Sequence, residues 1–248
     1  MPVANPVSGF GYALKGLKLI TRPGLRRWVA VPLLVNILLF SLLAWGGASL
    51  FEGLMDRYLP EEGWLSYFRW LLWPLFALSF ILLMFYTFTL IANIVAAPFN
   101  DMLAAKVEIL LSGAPPTEHE GSLLASIGPA LASELRKAGY FLTRGVPLLL
   151  LFVIPGANLV APLVWGIFSA WAIALEYTEY PFGNNGLQFP EQRRIMKQQR
   201  LPALGFGGGV MLMMLIPVLN FAAMPAAVAG ATAYWIDHFK DRGENLTG

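Results

Sequence analysis

Four stretches of this chain contain no Asp, Glu, Lys or Arg: residues 28–51, 70–100, 145–175 and 201–236. Each exceeds the ~20 residues that an apolar helix needs to cross a bilayer core. A chain built this way cannot hide so much apolar surface in an ordinary soluble core, and its charged share agrees. Only 13% of residues are charged, against about 25% in soluble domains. An all-α integral membrane protein forming a single membrane domain over 1–248 is therefore expected. The N-terminal segment reads as a basic, broken amphipathic stretch rather than a cleavable signal.

The runs are not equivalent. Run 28–51 opens near Pro32, is loosened by Gly46 and Gly47, and with the turn before it gives a span over 23–51. Run 70–100 begins with Trp70 and Trp73, which suit the aromatic belt of a membrane interface, and has no proline between Pro74 and Pro98. It reads as the cleanest spanning helix. The late runs are interrupted by Ile154-Pro155-Gly156-Ala157-Asn158 and by Ile216-Pro217-Val218-Leu219-Asn220, each followed by small residues and a second proline. A third echo, Asn93 to Pro98, closes the second run. Proline removes a helical hydrogen bond and asparagine favours turns, so 145–175 and 201–236 are expected to fold as helix, turn, helix. Pieces of roughly 10–17 residues give helices of about 15–26 Å, short of a roughly 30 Å core. Each pair is expected to enter the membrane and return to the same side, as a re-entrant hairpin.

The charged segments support two spans. Residues 1–27 carry Lys15, Lys18, Arg22, Arg26 and Arg27 and no acid, and segment 176–200 carries Arg193, Arg194, Lys197 and Arg200. With two spans and two re-entrant hairpins, the N-terminus, the polar helical segment 101–144, 176–200 and the C-terminus share one side. The acidic loop 52–69 lies alone on the other. Positive loops collect on one face of a membrane, and this arrangement collects them. Residues 6–20, within 1–22, read as an interfacial amphipathic helix, with Phe10, Ala13, Leu14 and Leu17 on one face beside Lys15 and Lys18. Gly9, Gly11 and Gly16 weaken its regularity. Polar turns at membrane depth must be buried, so oligomerisation is expected.

Residues 21–27, Thr-Arg-Pro-Gly-Leu-Arg-Arg, carry the one pattern that points to a ligand. Pro23 suits the first position of a helix. Arg26 and Arg27 would then face the positive end of a helix dipole, which is unfavourable unless an anion sits there. With an anion, free backbone N–H groups, the dipole and two guanidinium groups converge on one negative charge. Two other readings compete: the arginines as topology determinants, and the arginines as partners of lipid phosphates.

Within the apolar runs, Asn36, Asn93, Asn158 and Asn220 are either helix–helix glue or a polar path that can solvate an anion. Residues 98–112 read as a short helix bearing Asn100, Asp101, Lys106 and Glu108, either a solvated face or an ion-pair gate. Residues 179–189 read as a turn-rich connector, and the arginines after it as a solvated or lipid-facing basic helix. Only His119 and His238 exist and cysteine is absent, so a metal site or thiol chemistry has no support. No Walker A loop or Gly-x-Ser-x-Gly elbow occurs, so no cofactor, no nucleic-acid partner and no enzymatic activity are expected. Gly207-Gly208-Gly209 reads as small-residue helix packing rather than a phosphate loop.

The block Leu17 to Arg27, then Pro32-Leu33-Leu34-Val35-Asn36, resembles the start of the CysZ family of bacterial sulfate permeases. So do Ala97-Pro98-Phe99-Asn100 with Lys106-Val107-Glu108, and Glu179-Tyr180-Pro181 with Asn184 and Phe189. The resemblance runs in order from about residue 8 to 240. It implies a multi-pass inner-membrane protein that admits sulfate for assimilation into cysteine, contacts membrane lipids, and assembles as a homo-oligomer, a dimer or higher such as a hexamer. It also implies two long spans with partly inserted hairpins. Carried over, Gly24 and Leu25 by their backbone and Arg26 and Arg27 by their side chains would hold sulfate. The connector departs from the family in carrying Asn185-Gly186 with no histidine after Asn184, which touches none of these ligands.

Overall fold

The computed structural model describes residues 5–58, 66–116 and 123–240. Among the described residues the secondary structure is helical: α1 (Pro6–Leu19), α2 (Arg26–Tyr58), α3 (Ser66–Ser112), α4 (Leu123–Leu150), α5 (Ala161–Asn184), α6 (Phe189–Met196), α7 (Arg200–Leu215) and α8 (Pro217–His238). The chain divides into two compact units, one of residues 30–99 and one of residues 1–29 with 100–248.

The 30–99 unit is a pair of long helices. Phe51 on α2 stacks on Phe76 of α3 with centroids 3.8 Å apart, and meets Trp73 edge-on at 4.9 Å. Outside this contact the pair shows large apolar side chains: Leu34, Ile37, Trp45, Leu50, Trp70 and Ile81 are all exposed. The segment Arg26–Leu54 is 29 residues long and apolar enough to cross a membrane, about 44 Å at 1.5 Å per residue. Two expectations change here. The acidic segment 52–69 is not a loop throughout, since α2 runs to Tyr58 and α3 starts at Ser66. The second run does not end at Pro98, and 98–112 is not a separate helix; α3 continues through both Pro74 and Pro98 to Ser112. A proline removes one backbone donor, and a long helix survives that loss when its other turns hold.

The second unit packs α1, α5, α7 and α8 around a core of Phe182, Phe206, Tyr234 and Trp235. Its helices approach through small residues. A Cβ on Gly207 of α7 would lie 1.8 Å from the Ala170 carbonyl of α5, and one on Gly209 2.9 Å from Ala13 Cβ of α1, so these two glycines serve helix packing, whereas Gly208 meets nothing within 4 Å. Gly9 and Gly16 of α1 are buried on the same principle: Cβ atoms there would lie 1.7 Å from the Pro202 carbonyl and 2.0 Å from the Ala226 carbonyl. These glycines, which locally weaken a helix, are what let α1 lie against α7 and α8. Ala13 and Leu19 share that buried face, while Val7, Phe10 and Leu14 are exposed.

Both late runs break, as the proline patterns predict, with different details. Between α4 and α5 the break spans residues 151–160, with Asn158 in a short 3-10 turn. Between α7 and α8 it is one residue wide: Ile216 is extended (φ −94°, ψ 112°) and Pro217 starts α8. Asn220 therefore lies inside the first turn of α8, its N–H donating to the Ile216 carbonyl at 2.8 Å. Pro225 also lies inside α8. The expected pieces of roughly 10–17 residues hold only for α7, with 16 residues; α4, α5 and α8 have 28, 24 and 22, because the helices run past the uncharged stretches or continue through an internal proline. The connector expected over 179–189 is thus half helix, with Pro181 inside α5.

The C-terminal ends of α5 and α8 meet where Phe182 packs on Trp235, centroids 4.5 Å apart. The two breaks, which precede the N-terminal ends of α5 and α8, are apolar and open: Val153 is 80% exposed, Leu159 83%, Val218 81% and Phe221 76%.

Candidate functional site

The segment joining α1 to α2 is a tight turn held from beneath. Leu19, Ile20 and Leu25 are buried, while Thr21 to Gly24, Arg26 and Arg27 are exposed. The Leu25 N–H donates to the Arg22 carbonyl at 3.2 Å, and Gly24 has φ +91°. Proline at the second position and a left-handed glycine at the third is the pattern of a type II turn. Pro23 is therefore a turn residue and not the first residue of the helix, which corrects the sequence expectation; α2 begins at Arg26. Proline's fixed φ suits both positions, and the glycine after it selects the turn.

The bonds inside the turn leave a set of donors free. The Arg22 N–H donates to the Leu19 carbonyl at 3.0 Å and the Trp28 N–H to the Leu25 carbonyl at 3.0 Å. The Thr21 hydroxyl donates to the Lys18 carbonyl at 2.8 Å. Arg26 Nε donates to the Thr21 carbonyl at 2.5 Å, which fixes the guanidinium and leaves its terminal nitrogens available. Among the described residues, the amides of Gly24, Arg26 and Arg27 donate to no carbonyl. A Cβ on Gly24 would meet nothing within 4 Å, so the backbone there is open to approach. The guanidinium carbon of Arg27 lies 5.3 Å from the Trp28 ring centroid. Gly24, Leu25, Arg26 and Arg27 are thus brought together in one turn, with Leu25 as its buried anchor.

The other sequence candidates do not join this turn. Asn36 lies on α2 with its amide oxygen buried and without a hydrogen-bond partner among the described residues. The Asn93 side chain lies outside the described residues. Asn158 and Asn220 are exposed at the two breaks. Asn100 is buried and donates to the Tyr180 hydroxyl at 3.4 Å.

Lys106 is exposed, but Glu108 is fully buried, so the solvated-face reading fails at that residue. Glu108 pairs with Lys240 at 3.2 Å and accepts from the Asn185 amide at 3.0 Å. Lys240 also donates to Ser112 Oγ at 3.1 Å. The separate motifs of α3 and of the α5–α6 connector therefore meet in space, since Asn184 donates to the Asp101 carbonyl at 2.9 Å as well. Sequence reasoning missed Lys240 and Asn185. Burying a paired carboxylate is tolerable, but leaving it alone is not. Lys240→Ala is expected to cost about 3 kcal/mol of stability, and adding Glu108→Gln to recover part of it. Thermal melts of the single and double variants measure both.

A cavity of about 300 Å³ lies beside this junction, lined by Asp101, Glu134, Lys137, Glu176, Glu179, Tyr180 and Gly183. Lys137 Nζ sits 2.5 Å from Glu179, 3.1 Å from Glu134 and 3.6 Å from Glu176. Burial pushes the Glu179 carboxyl up, Lys137 opposes this and Glu134 adds to it, leaving it at about 7. A carboxyl raised above its ordinary 4.5 binds its proton more tightly when folded. Its contribution to stability is present below that ordinary value and is lost as pH rises through about 7. Glu179→Gln is expected to remove that loss, so the melting temperature of the variant should gain on the parent between mildly acidic and mildly alkaline buffer.

Of the basic helix residues, Arg194, Lys197 and Arg200 are exposed, and Arg193 lies 4.9 Å from the Tyr140 ring.

Residues 12–225 match the family model described as Sulfate transporter CysZ/Etoposide-induced protein 2.4. The chain is 43% identical over 247 residues to the sulfate transporter CysZ of Pseudomonas fluorescens (strain Pf0-1), covering 98% of each chain. It is 42% identical over 241 residues to that of Pseudomonas aeruginosa (strain LESB58), covering 96% of this chain and 97% of the relative. It is likewise 42% identical over 243 residues to that of Pseudomonas syringae pv. tomato (strain ATCC BAA-871 / DC3000), covering 97% and 95%. Coverage this complete leaves no segment of the helical framework unmatched, and this chain belongs to the sulfate transporter CysZ/etoposide-induced protein 2.4 family.

Proposed function

We propose that this chain is an inner-membrane, multi-pass sulfate permease that binds sulfate at the turn of residues 24–27 and supplies it for cysteine synthesis. Its family makes it a transport protein rather than an enzyme. The observation that carries the binding site is the turn itself. Three unpaired amides and two guanidinium groups surround an open backbone, with no acidic residue before Glu52. The free amides at a helix start and the guanidinium forks suit a tetrahedral oxyanion. Exposure of the turn suits conduction, which requires that the ion leave as well as bind.

In this reading α2 and α3 cross the membrane and the α4–α5 and α7–α8 pairs enter it partway. The exposed apolar ends at Val153, Leu159, Val218 and Phe221 support that placement. Asn158 and Asn220 would then sit at membrane depth and line a polar path completed by further copies of the chain. The chain gains a membrane function of another class if the same arginines hold lipid phosphates instead, as a non-transporting scaffold.

Binding of radiolabelled sulfate to the purified chain in nanodiscs of neutral lipid separates the two. Saturable binding that survives addition of anionic lipid is expected. No saturable binding, with anionic lipid retained instead, would favour the scaffold.

A further inference from the structure

The two halves of α4 are held to their unit by different chemistry. After Gly139 the contacts are aromatic. The Trp171 indole of α5 donates to the Tyr140 hydroxyl at 2.9 Å, Phe141 meets Phe168 of α5 with centroids 6.4 Å apart, and Tyr140 meets Phe189 of α6 at 5.6 Å. Before Gly139 the contacts are polar. The Phe189 N–H donates to Ser133 Oγ at 3.1 Å, and Lys137 pairs with Glu176 and Glu179 of α5. Leu131 and Leu135 of this half are exposed. A Cβ on Gly139 would meet nothing within 4 Å, and glycine is a weak point inside a helix.

The polar half has more carboxyls than cations. One ammonium, Lys137, serves Glu134, Glu176 and Glu179, and Asp101 of α3 and Tyr180 of α5 line the same cavity. The carboxyls of Glu134 and Glu179 also share a hydrogen bond. An ionised carboxylate only accepts, so that bond exists only while one of the two keeps a proton. Charges on the other packed elements are engaged away from this pair. Arg193 of α6 lies over the Tyr140 ring, Asp237 of α8 pairs with Lys15, Lys240 pairs with Glu108, and Arg200 of α7 is exposed.

We infer that the N-terminal half of α4 is a pH-sensitive latch, closed on α5 while Glu134 and Glu179 share one proton beside Lys137, and opening at Gly139 when that proton leaves. Loss of the proton breaks the bond between the two carboxyls. It also leaves three carboxylates from two helices around one ammonium, and like charges in contact repel. The aromatic contacts of the other half do not titrate, so the motion is confined to residues before Gly139. Burial, and after it Glu134, raise the Glu179 carboxyl against the pull of Lys137, to about 7. Closure is therefore complete in mildly acidic buffer and is lost as pH rises through that value. Glu134 and Glu176 are half exposed, so the pair exchanges its proton with water.

The chain contains no cysteine, so cysteines introduced at Leu131 and Leu201, both exposed, carry spin labels at those positions alone. Leu131 lies on the moving half of α4 and Leu201 on α7. Double electron–electron resonance on the full chain in neutral-lipid nanodiscs reads their separation. One narrow distance in mildly acidic buffer, shifting to longer and broader distances in mildly alkaline buffer, is expected. Glu179→Gln keeps a neutral side chain able to hydrogen-bond, so it should hold the narrow distance in both buffers. Glu134→Gln, at the more exposed partner, carries the same expectation and serves if Glu179→Gln does not fold. A separation that ignores pH in the parent chain, or a shift that persists in these variants, would overturn the latch. Labels at Leu142 and Leu201 should show no shift, and a shift there equal to that at Leu131 would overturn the hinge at Gly139.

Discussion

Replacing Arg26 and Arg27 together with alanine is expected to weaken sulfate binding about 100-fold and to lower flux in proportion. Each arginine offers charge-assisted hydrogen bonds, individually worth roughly 1.5–3 kcal/mol. A loss of about 2.7 kcal/mol corresponds to a hundredfold change. The full sum should not be realised, because the free amides of Gly24 and the helix start remain, and coupled contacts do not add. The two residues are also unequal. Arg26 Nε is held by the Thr21 carbonyl, so Arg26→Lys keeps the charge but loses the tether and the fork. It should lose most of what Arg26→Ala loses. Arg27 has no such tether, so Arg27→Lys should be the milder change. Fold damage is not expected, since both side chains are exposed.

The largest structural effect is expected at α1. Valine at Gly9 or Gly16 would drive side-chain atoms into the backbone of Pro202 or of Ala226 and Gly230, where a Cβ alone would already lie within 2.0 Å of a carbonyl oxygen. Backbone cannot move aside as a flexible side chain can, so the helix must lift. Overpacking of this kind costs about 3 kcal/mol or more, a fall of roughly 10 °C in the melting temperature for a chain of this size. Sulfate binding should fall as well, because the end of α1 leads directly into the turn. Gly11 is the internal control: a Cβ there meets nothing within 4 Å, so Gly11→Ala should be neutral or slightly stabilising through helix propensity. Equal losses at Gly11 and Gly16 would mean that helix propensity, rather than close approach, governs α1.

Local chemistry was readable where one or two residues dictate it. Pro217 after Ile216 and the Pro155-Gly156 pair mark both breaks, because a proline cannot extend the preceding helix without losing a bond. The turn at 21–27 was readable as a cluster of cations beside unpaired amides, although its first element was misassigned. Proline serves a helix start and a turn equally, and the positive φ of Gly24 is a three-dimensional fact. Pro98 misled in the opposite direction, since α3 passes through it. What pairing Glu108 would find was not readable at all. Its partners Asn185 and Lys240 are distant in sequence, and nothing in the mixed-charge segment 98–112 says whether that carboxylate will be solvated or sealed. Likewise Gly9 and Gly16 look like helix weakeners until the backbones of α7 and α8 are seen against them.

The proposed topology, which puts the basic segments on one side, raises a question about direction. If that side faces the cytoplasm, an importer would hold its cargo at the exit, either as a release station or because some copies face the other way. Both arrangements require that sulfate cross the bilayer through this chain, and one measurement addresses that requirement. The purified protein is reconstituted into vesicles of neutral lipid and the entry of radiolabelled sulfate is followed against protein-free vesicles. Uptake that rises with protein and with sulfate, and collapses in the Arg26→Ala, Arg27→Ala variant, is predicted. Uptake equal to that of protein-free vesicles, with the helical protein inserted, would contradict the account.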